Sequence, residues 1–267
     1  MVVKEMQEIM HKGMWYGEVS TEISTSKLWS EIYMENNMRS KILKVVELLK
    51  LGDFSAKRLL IKIMNESKDE DIINLAIRVF CSVANHEDIL NVNNLKLLSN
   101  CSEDAVSTFV SSAEATMSYQ VVPYLLALLD EWDDTDIEIQ IKDVLASMLQ
   151  INDDYEEYSV EDFDNIFTNI VDNKDIEKYY YSGEIIFPGL LTKELIERCY
   201  IAVQASDTLK MHTVPSLLSI YSGKLFPVDF FTEITDVNLK QVLNYVDSLS
   251  NMSWEKGCKY FYGHRIN

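Results

Sequence analysis

VPYLLALLDEWDDTDIEIQIKDVLASML, residues 122–149, carries two helical stripes separated by an acidic turn. Leu125, Leu128 and Leu129 follow Val121 at the three- and four-residue steps of one helix face. Ile137, Ile141, Val144, Leu145 and Met148 do the same in the second half. Pro123 stands early in the first stripe, where a missing N–H costs nothing, and Thr135 is placed to cap the second. Between them Asp130, Glu131, Asp133, Asp134 and Asp136 surround Trp132. Two such helices cannot cover their apolar faces alone, so neighbours of the same kind are required.

Those neighbours precede it. Ile42, Val45, Val46 and Leu49 form one stripe, and Phe54, Leu59, Leu60 and Ile63 the next, with Gly52 at a helix-terminating position and Asp53 as a polar cap. Ile72, Ile73, Ala76, Ile77, Phe80 and Val83 follow, then a less regular stretch ending in Leu95, Leu97 and Leu98. Ser102 opens a helix burying Ala105, Val106, Phe109, Val110 and Ala113. Segments starting near Met38, Glu70 and Ser102 are spaced by 32 residues, and another starts at Thr135. From Met38 to Gln150 this pattern resembles HEAT repeats. The expected fold class is therefore all-α in the main: a HEAT-like α-α solenoid with a helical C-terminal extension and room for a few short strands.

Residues 1–150 are expected to form this array with an N-terminal cap. The cap would consist of a short helix ending at Gly13, a loop with Trp15 and Tyr16, and a helix from Ser26 carrying Leu28, Trp29 and Ile32. Residues 151–267 form the C-terminal region, in which YSGEIIFPGLLT (Tyr181 to Thr192) is echoed by YSGKLFPVDFFT (Tyr221 to Thr232). Each copy reads as a helix ending at Gly183 or Gly223, an apolar connection, and Pro188 or Pro227 near a new helix start. Helices over Thr192 to Gln204 and Asp236 to Leu249 would follow. A competing reading makes Tyr179 to Phe187 a strand, because Tyr, Ile and Phe favour extended backbone.

Charge is the second informative feature. Between Asp130 and Glu177 stand seventeen acidic side chains against Lys142 and Lys174, a formal −15 within a total of −19. A block this localised sets up a strong negative field on one side of a molecule. It repels nucleic acid and anionic membrane and suits a basic protein. The first residues have no signal-peptide pattern, and the apolar run Val121 to Leu129 is far short of a membrane span, so a cytoplasmic protein is expected. Cys81, Cys101, Cys199 and Cys258 are too far apart in sequence for a redox pair or a zinc knuckle.

The candidate partner-binding residues are Asp130, Trp132, Asp133, Asp134 and Asp136 in the turn, and Asp153, Asp154, Tyr155, Glu156, Glu157 and Tyr158 in the connector. Rings supply desolvated area and carboxylates supply steering, the make-up of an interface hot spot. A solvated, solubilising face around a domain junction remains the plainer alternative. Calcium loops do not fit: the sixth position, counted from Asp134 or Asn152, is Ile139 or Glu157 instead of glycine. His11, His86, His212 and His264 are scattered, and no nucleophile or phosphate-binding motif occurs. No enzyme, cofactor or metal is expected.

A HEAT-like array, an acidic surface and Y-S-G-x-x-F-P turns together resemble bacterial immunity proteins of polymorphic toxin systems, the immunity protein 47 family. The resemblance implies a protein that binds one cognate toxin domain stoichiometrically and masks it. Many such toxins attack nucleic acids and so carry cationic surfaces, making a basic, nuclease-type toxin the expected partner of a monomer or weak dimer. The rival reading is a HEAT-like scaffold with no toxin partner.

Overall fold

The computed structural model describes residues 17–19, 24–211 and 213–266. Among them are twelve α-helices and two two-stranded antiparallel sheets, so the protein is mainly all-α. The expected helix ending at Gly13 and the loop with Trp15 and Tyr16 lie outside the described residues. The helix around Trp29 is α1 (Thr25–Met34), followed by α2 (Met38–Lys50). The chain then divides into two compact units.

One unit holds Trp29–Val46 and Phe54–Ile186 with Ile266. It contains α3 (Lys57–Glu66), α4 (Glu70–Val83), the short α5 (His86–Leu90), α6 (Glu103–Ala113), α7 (Val122–Glu131), α8 (Asp136–Leu149) and α9 (Val160–Asn173). Helix α3 packs on α4, α4 on α6, and α6 on α8, while α7 and α9 pack on α8 and on each other. Leu60, Ile77, Phe80, Phe109, Leu125, Ile141 and Leu145 are buried between them, as the apolar stripes require. Polar links recur at a nearly constant sequence distance. Lys57 Nζ donates to Asp88 Oδ2 (2.5 Å), Leu97 N to Asn65 Oδ1 (3.0 Å), Ser107 Oγ to Gln140 Oε1 (2.9 Å), and His86 Nδ1 lies 2.7 Å from Ser118 Oγ. These separations are 31, 32, 33 and 32 residues, the spacing of the apolar segments.

Helix starts follow local chemistry. Asp69 caps α4 by accepting from Ile72 N, and Ser102 caps α6 by accepting from Ala105 N. Asp53 does not cap α3. Phe54–Ala56 forms a 3-10 turn first, so Ala56 takes the cap position. Gly52 does end α2, at φ +81°. The irregular stretch is α5 plus a 3-10 segment, Val92–Ser99.

The unit closes on a hairpin, β1 (Tyr180–Tyr181) with β2 (Glu184–Ile185), in the register Tyr180 opposite Ile185. The backbone is extended as the strand reading expected, but a turn splits Tyr179 to Phe187 into a hairpin instead of one strand. Gly183 (φ +74°) follows Ser182 (φ +47°) in a two-residue turn, not at a helix end. Tyr180 N donates to Met117 O at 2.8 Å, and Tyr179 stacks on His86 with centroids 4.2 Å apart.

The other unit gathers Glu47–Asp53 and Phe187–Arg265 with the described residues up to Leu28. It contains α10 (Pro188–Ala205), α11 (Thr213–Ser222), α12 (Asp236–Ser250) and a second hairpin, β3 (Tyr260–Phe261) with β4 (His264–Arg265). Pro188 opens α10 and Gly223 ends α11 as expected, but no helix begins at Pro227; an irregular segment runs on to Thr235. Tyr262 N and Gly263 N donate to Ile220 O and Tyr221 O, pinning the hairpin to α11. Lys50, 2% exposed, bonds Glu47 Oε1 at 2.6 Å and Glu18 O at 3.0 Å.

The structural duplication therefore differs from the YSG echo. Val122-Pro-x-Leu-Leu at α7 returns as Val214-Pro-x-Leu-Leu at α11, and Thr135-Asp-Ile at α8 returns as Thr235-Asp-Val at α12. Each set ends in a tyrosine hairpin whose turn uses two left-handed residues, Ser182-Gly183 and Tyr262-Gly263.

Candidate functional site

Helix α7 ends at Glu131, and Trp132 N donates to Leu128 O at 2.9 Å. The chain reverses through Asp134, which holds φ +60°, a left-handed conformation aspartate tolerates better than most residues. Asp134 N donates to Glu138 Oε2 at 3.1 Å, and Thr135 Oγ1 donates to Trp132 O at 2.7 Å. Thr135 thus stands at the cap position of α8 while its hydroxyl closes the turn instead. Asp130, Asp133, Asp134 and Asp136 are all exposed.

The connector after α8 folds back on that helix. Lys142 Nζ donates to Glu156 O at 2.7 Å, and the Tyr155 hydroxyl donates to Asp143 Oδ1 at 3.0 Å. That bond to a carboxylate raises the Tyr155 hydroxyl above its ordinary pKa. Ser159 and Asp162 form a reciprocal cap that starts α9, and Ser159 holds the Asp162 carboxyl below the usual range. Tyr158 packs edge-on against the buried Phe163, centroids 5.5 Å apart.

Turn and connector meet at a cleft of ≈ 210 Å³. Asp130 lines it from the last turn of α7 and Asp133 from the reversal after it, Glu138 and Lys142 from α8, and Tyr158, Ser159 and Val160 from the end of the connector and the start of α9, over Leu129. Of the residues singled out from sequence, Asp130, Asp133 and Tyr158 are brought to this cleft. Trp132, Asp134 and Asp136 belong to the turn beside it. Trp132 is half-buried, its Nε1 enclosed with no acceptor among the described residues. Asp153, Asp154, Glu156 and Glu157 are exposed on the connector, where Asp154 Oδ1 accepts from Glu156 N at 3.2 Å.

Both basic residues of the acidic window are engaged. Lys142 pairs with Glu138 at 2.8 Å and lowers its pKa. Lys174 Nζ donates to Gly183 O at 2.6 Å and lies over the Tyr180 ring. Among the described residues no lysine, arginine or histidine lies within ion-pair distance of the eight candidate carboxylates. Oxygens of Asp133, Asp134 and Glu138 lie within 4.8 Å of one another, but Glu138 already answers to Lys142 and to Asp134 N. Glu138, Lys142 and Ser159 were not singled out from sequence. The Glu138–Lys142 spacing of four along a helix was the available signal.

No helix among the described residues is long and apolar enough to cross a membrane. Exposed carboxylates interleaved with aromatic rings on a helical frame are suited to contact with another protein. The match to known proteins names the kind: the chain belongs to the Immunity protein 47 family, whose model matches residues 10–266. It is thus an immunity protein, of the class whose role is to neutralise a toxin. No curated protein and no solved structure gives a match.

Proposed function

We propose that this protein neutralises a basic, nuclease-type toxin domain by binding it one to one and masking its substrate groove. The docking surface comprises the turn residues Asp130, Trp132, Asp133, Asp134 and Asp136 and the connector residues Asp153 to Tyr158. The protein acts as a monomer or weak dimer in the cytoplasm, with no cofactor or catalytic group of its own. The helical row is read as HEAT-like. One observation carries the proposal: Asp130, Asp133 and the connector's Tyr158 share one cleft, where Lys142 is taken up by Glu138, and none of the eight candidate carboxylates has a cationic partner among the described residues. Such a field speeds encounter with a cationic partner, and aromatic burial then slows release.

The test is co-expression with the product of the neighbouring gene. The expected result is a one-to-one complex that keeps the producing cells alive and leaves the toxin inactive. Survival of cells without any complex, or a complex whose toxin remains active, overturns the proposal.

A further inference from the structure

The turn between α1 and α2 displays large apolar side chains on a fixed frame. Glu35 accepts from Asn37 N at 3.0 Å, from Ser40 Oγ at 2.7 Å and from Lys44 Nζ at 2.9 Å, and Asn37 Oδ1 accepts from Ser40 N at 2.9 Å. Around this network Tyr33 is 79% exposed and Met34 81%, and Met38 is exposed at the start of α2. Large apolar groups held open to water in one short stretch mark a contact surface, and methionine adapts its shape to what it meets. The charge here is opposite to that of the chain as a whole. Between Trp29 and Val46 three bases stand against two acids, within a total of −19. Both acids, Glu31 and Glu35, lie on Lys44, at 3.9 and 2.9 Å. Arg39 and Lys41 are thus left outside every ion pair among the described residues.

The same unit carries the complement. Along the outward stripe of α8, Asp136, Ile139 and Asp143 follow at three- and four-residue steps, all of them exposed. Ile139, 65% exposed between the two carboxylates, gives that stripe an apolar centre that only another apolar surface removes from water. The Tyr155 hydroxyl holds Asp143 at 3.0 Å. Two such stripes repel one another, as do two α1–α2 turns, whereas a stripe against a turn sets apolar on apolar and carboxylate on cation. We propose that a second copy of this chain seats the Asp136–Ile139–Asp143 stripe of its α8 on the Tyr33, Met34 and Met38 patch, with Arg39 and Lys41 facing the two aspartates. Such a head-to-tail contact leaves one patch and one stripe open at its ends, so assembly grows with concentration. Exposed charge pairs and a small apolar centre make the contact weak and sensitive to salt. This self-association is independent of toxin binding and is tested on the chain alone.

The experiment is sedimentation velocity of the full chain over a range of concentrations, at low and at high salt. The expected result is a sedimentation coefficient that rises with concentration at low salt and stays at the monomer value at high salt. Met34→Asp on the patch and Ile139→Lys on the stripe should each weaken self-association about tenfold. Leu190→Asp, at an exposed apolar position of α10, should leave it unchanged. Circular dichroism shows whether each variant is folded. Mixed together, the Met34→Asp and Ile139→Lys chains should form a one-to-one pair that grows no further, because the intact stripe of the first meets the intact patch of the second. A wild-type chain that stays monomeric at every concentration overturns the proposal. So does association that survives either variant, that Leu190→Asp weakens equally, or that the mixture fails to restore.

Discussion

Reversing three exposed carboxylates of the turn, Asp133, Asp134 and Asp136, to lysine changes the local charge by six units without touching the core. Unit charges about 10 Å apart in water interact by about 0.4 kcal/mol. Six units acting on each basic group of the partner at that distance come to ~2.5 kcal/mol before screening. At 10 mM salt, where the screening length is about 30 Å, roughly 1.8 kcal/mol survives, some twentyfold in encounter rate per basic group. At 150 mM, with a screening length of about 8 Å, roughly 0.7 kcal/mol survives, a factor of about three. The assay is stopped-flow association of the triple variant and the wild type with the toxin domain recovered by co-expression, across this salt range. The expected outcome is a large rate difference at low salt that narrows steeply as salt rises. Equal rates and equal salt dependence for the two proteins would falsify steering by this turn.

Four further outcomes are expected. Leu125→Ala removes a fully buried side chain between α7 and its neighbours and should cost about 2–5 kcal/mol, seen as a lower urea midpoint. Gly183→Ala forces a side chain onto φ +74° and sets its Cβ 2.7 Å from Gln150 Cγ, so a loss of about 1 kcal/mol or more is expected in the same measurement. Glu35 is held at about 2 by Asn37 N–H, Lys44 and Ser40, against 4.5 for a free glutamate. Its folded pKa is the lower one, so its contribution is fully present above pH ~4.5 and is lost as pH falls towards 2; Glu35→Gln should flatten that acid limb of the stability curve. Burial pushes the Cys199 thiol up to about 11, and it should resist alkylation at pH 8 until the chain is denatured.

Much of the helical frame was readable in the chain. Apolar stripes at three- and four-residue steps marked α2, α3, α4, α6, α7 and α8, because a helix that buries one face must repeat at its own pitch. Thr192 to Gln204 and Asp236 to Leu249 fell inside α10 and α12. The tyrosine hairpins were less legible. Tyr179–Ile186 and Tyr260–Ile266 are too short and too apolar for periodicity to separate strand from helix, and pairing with Met117 O and with Ile220 O settles them. The YSG echo misled at Pro227 for a related reason: proline permits a helix start but does not supply the apolar face that would anchor one.

The candidate surface divides along the same line. Acid content and the aromatics within it are properties of composition, so the expectation of a cationic partner, on which the proposed function draws, needs the chain alone. Whether two acids share a cleft depends on which helices lie side by side, and that depends on burial summed over the whole array. Helix α8 beside α6 carries Asp136 to Glu103 and Asp104, and α9 folding back on α8 carries Tyr158 to Asp130 and Asp133. Sequence distance is no guide to either meeting, because close packing acts between faces, whatever their order along the chain.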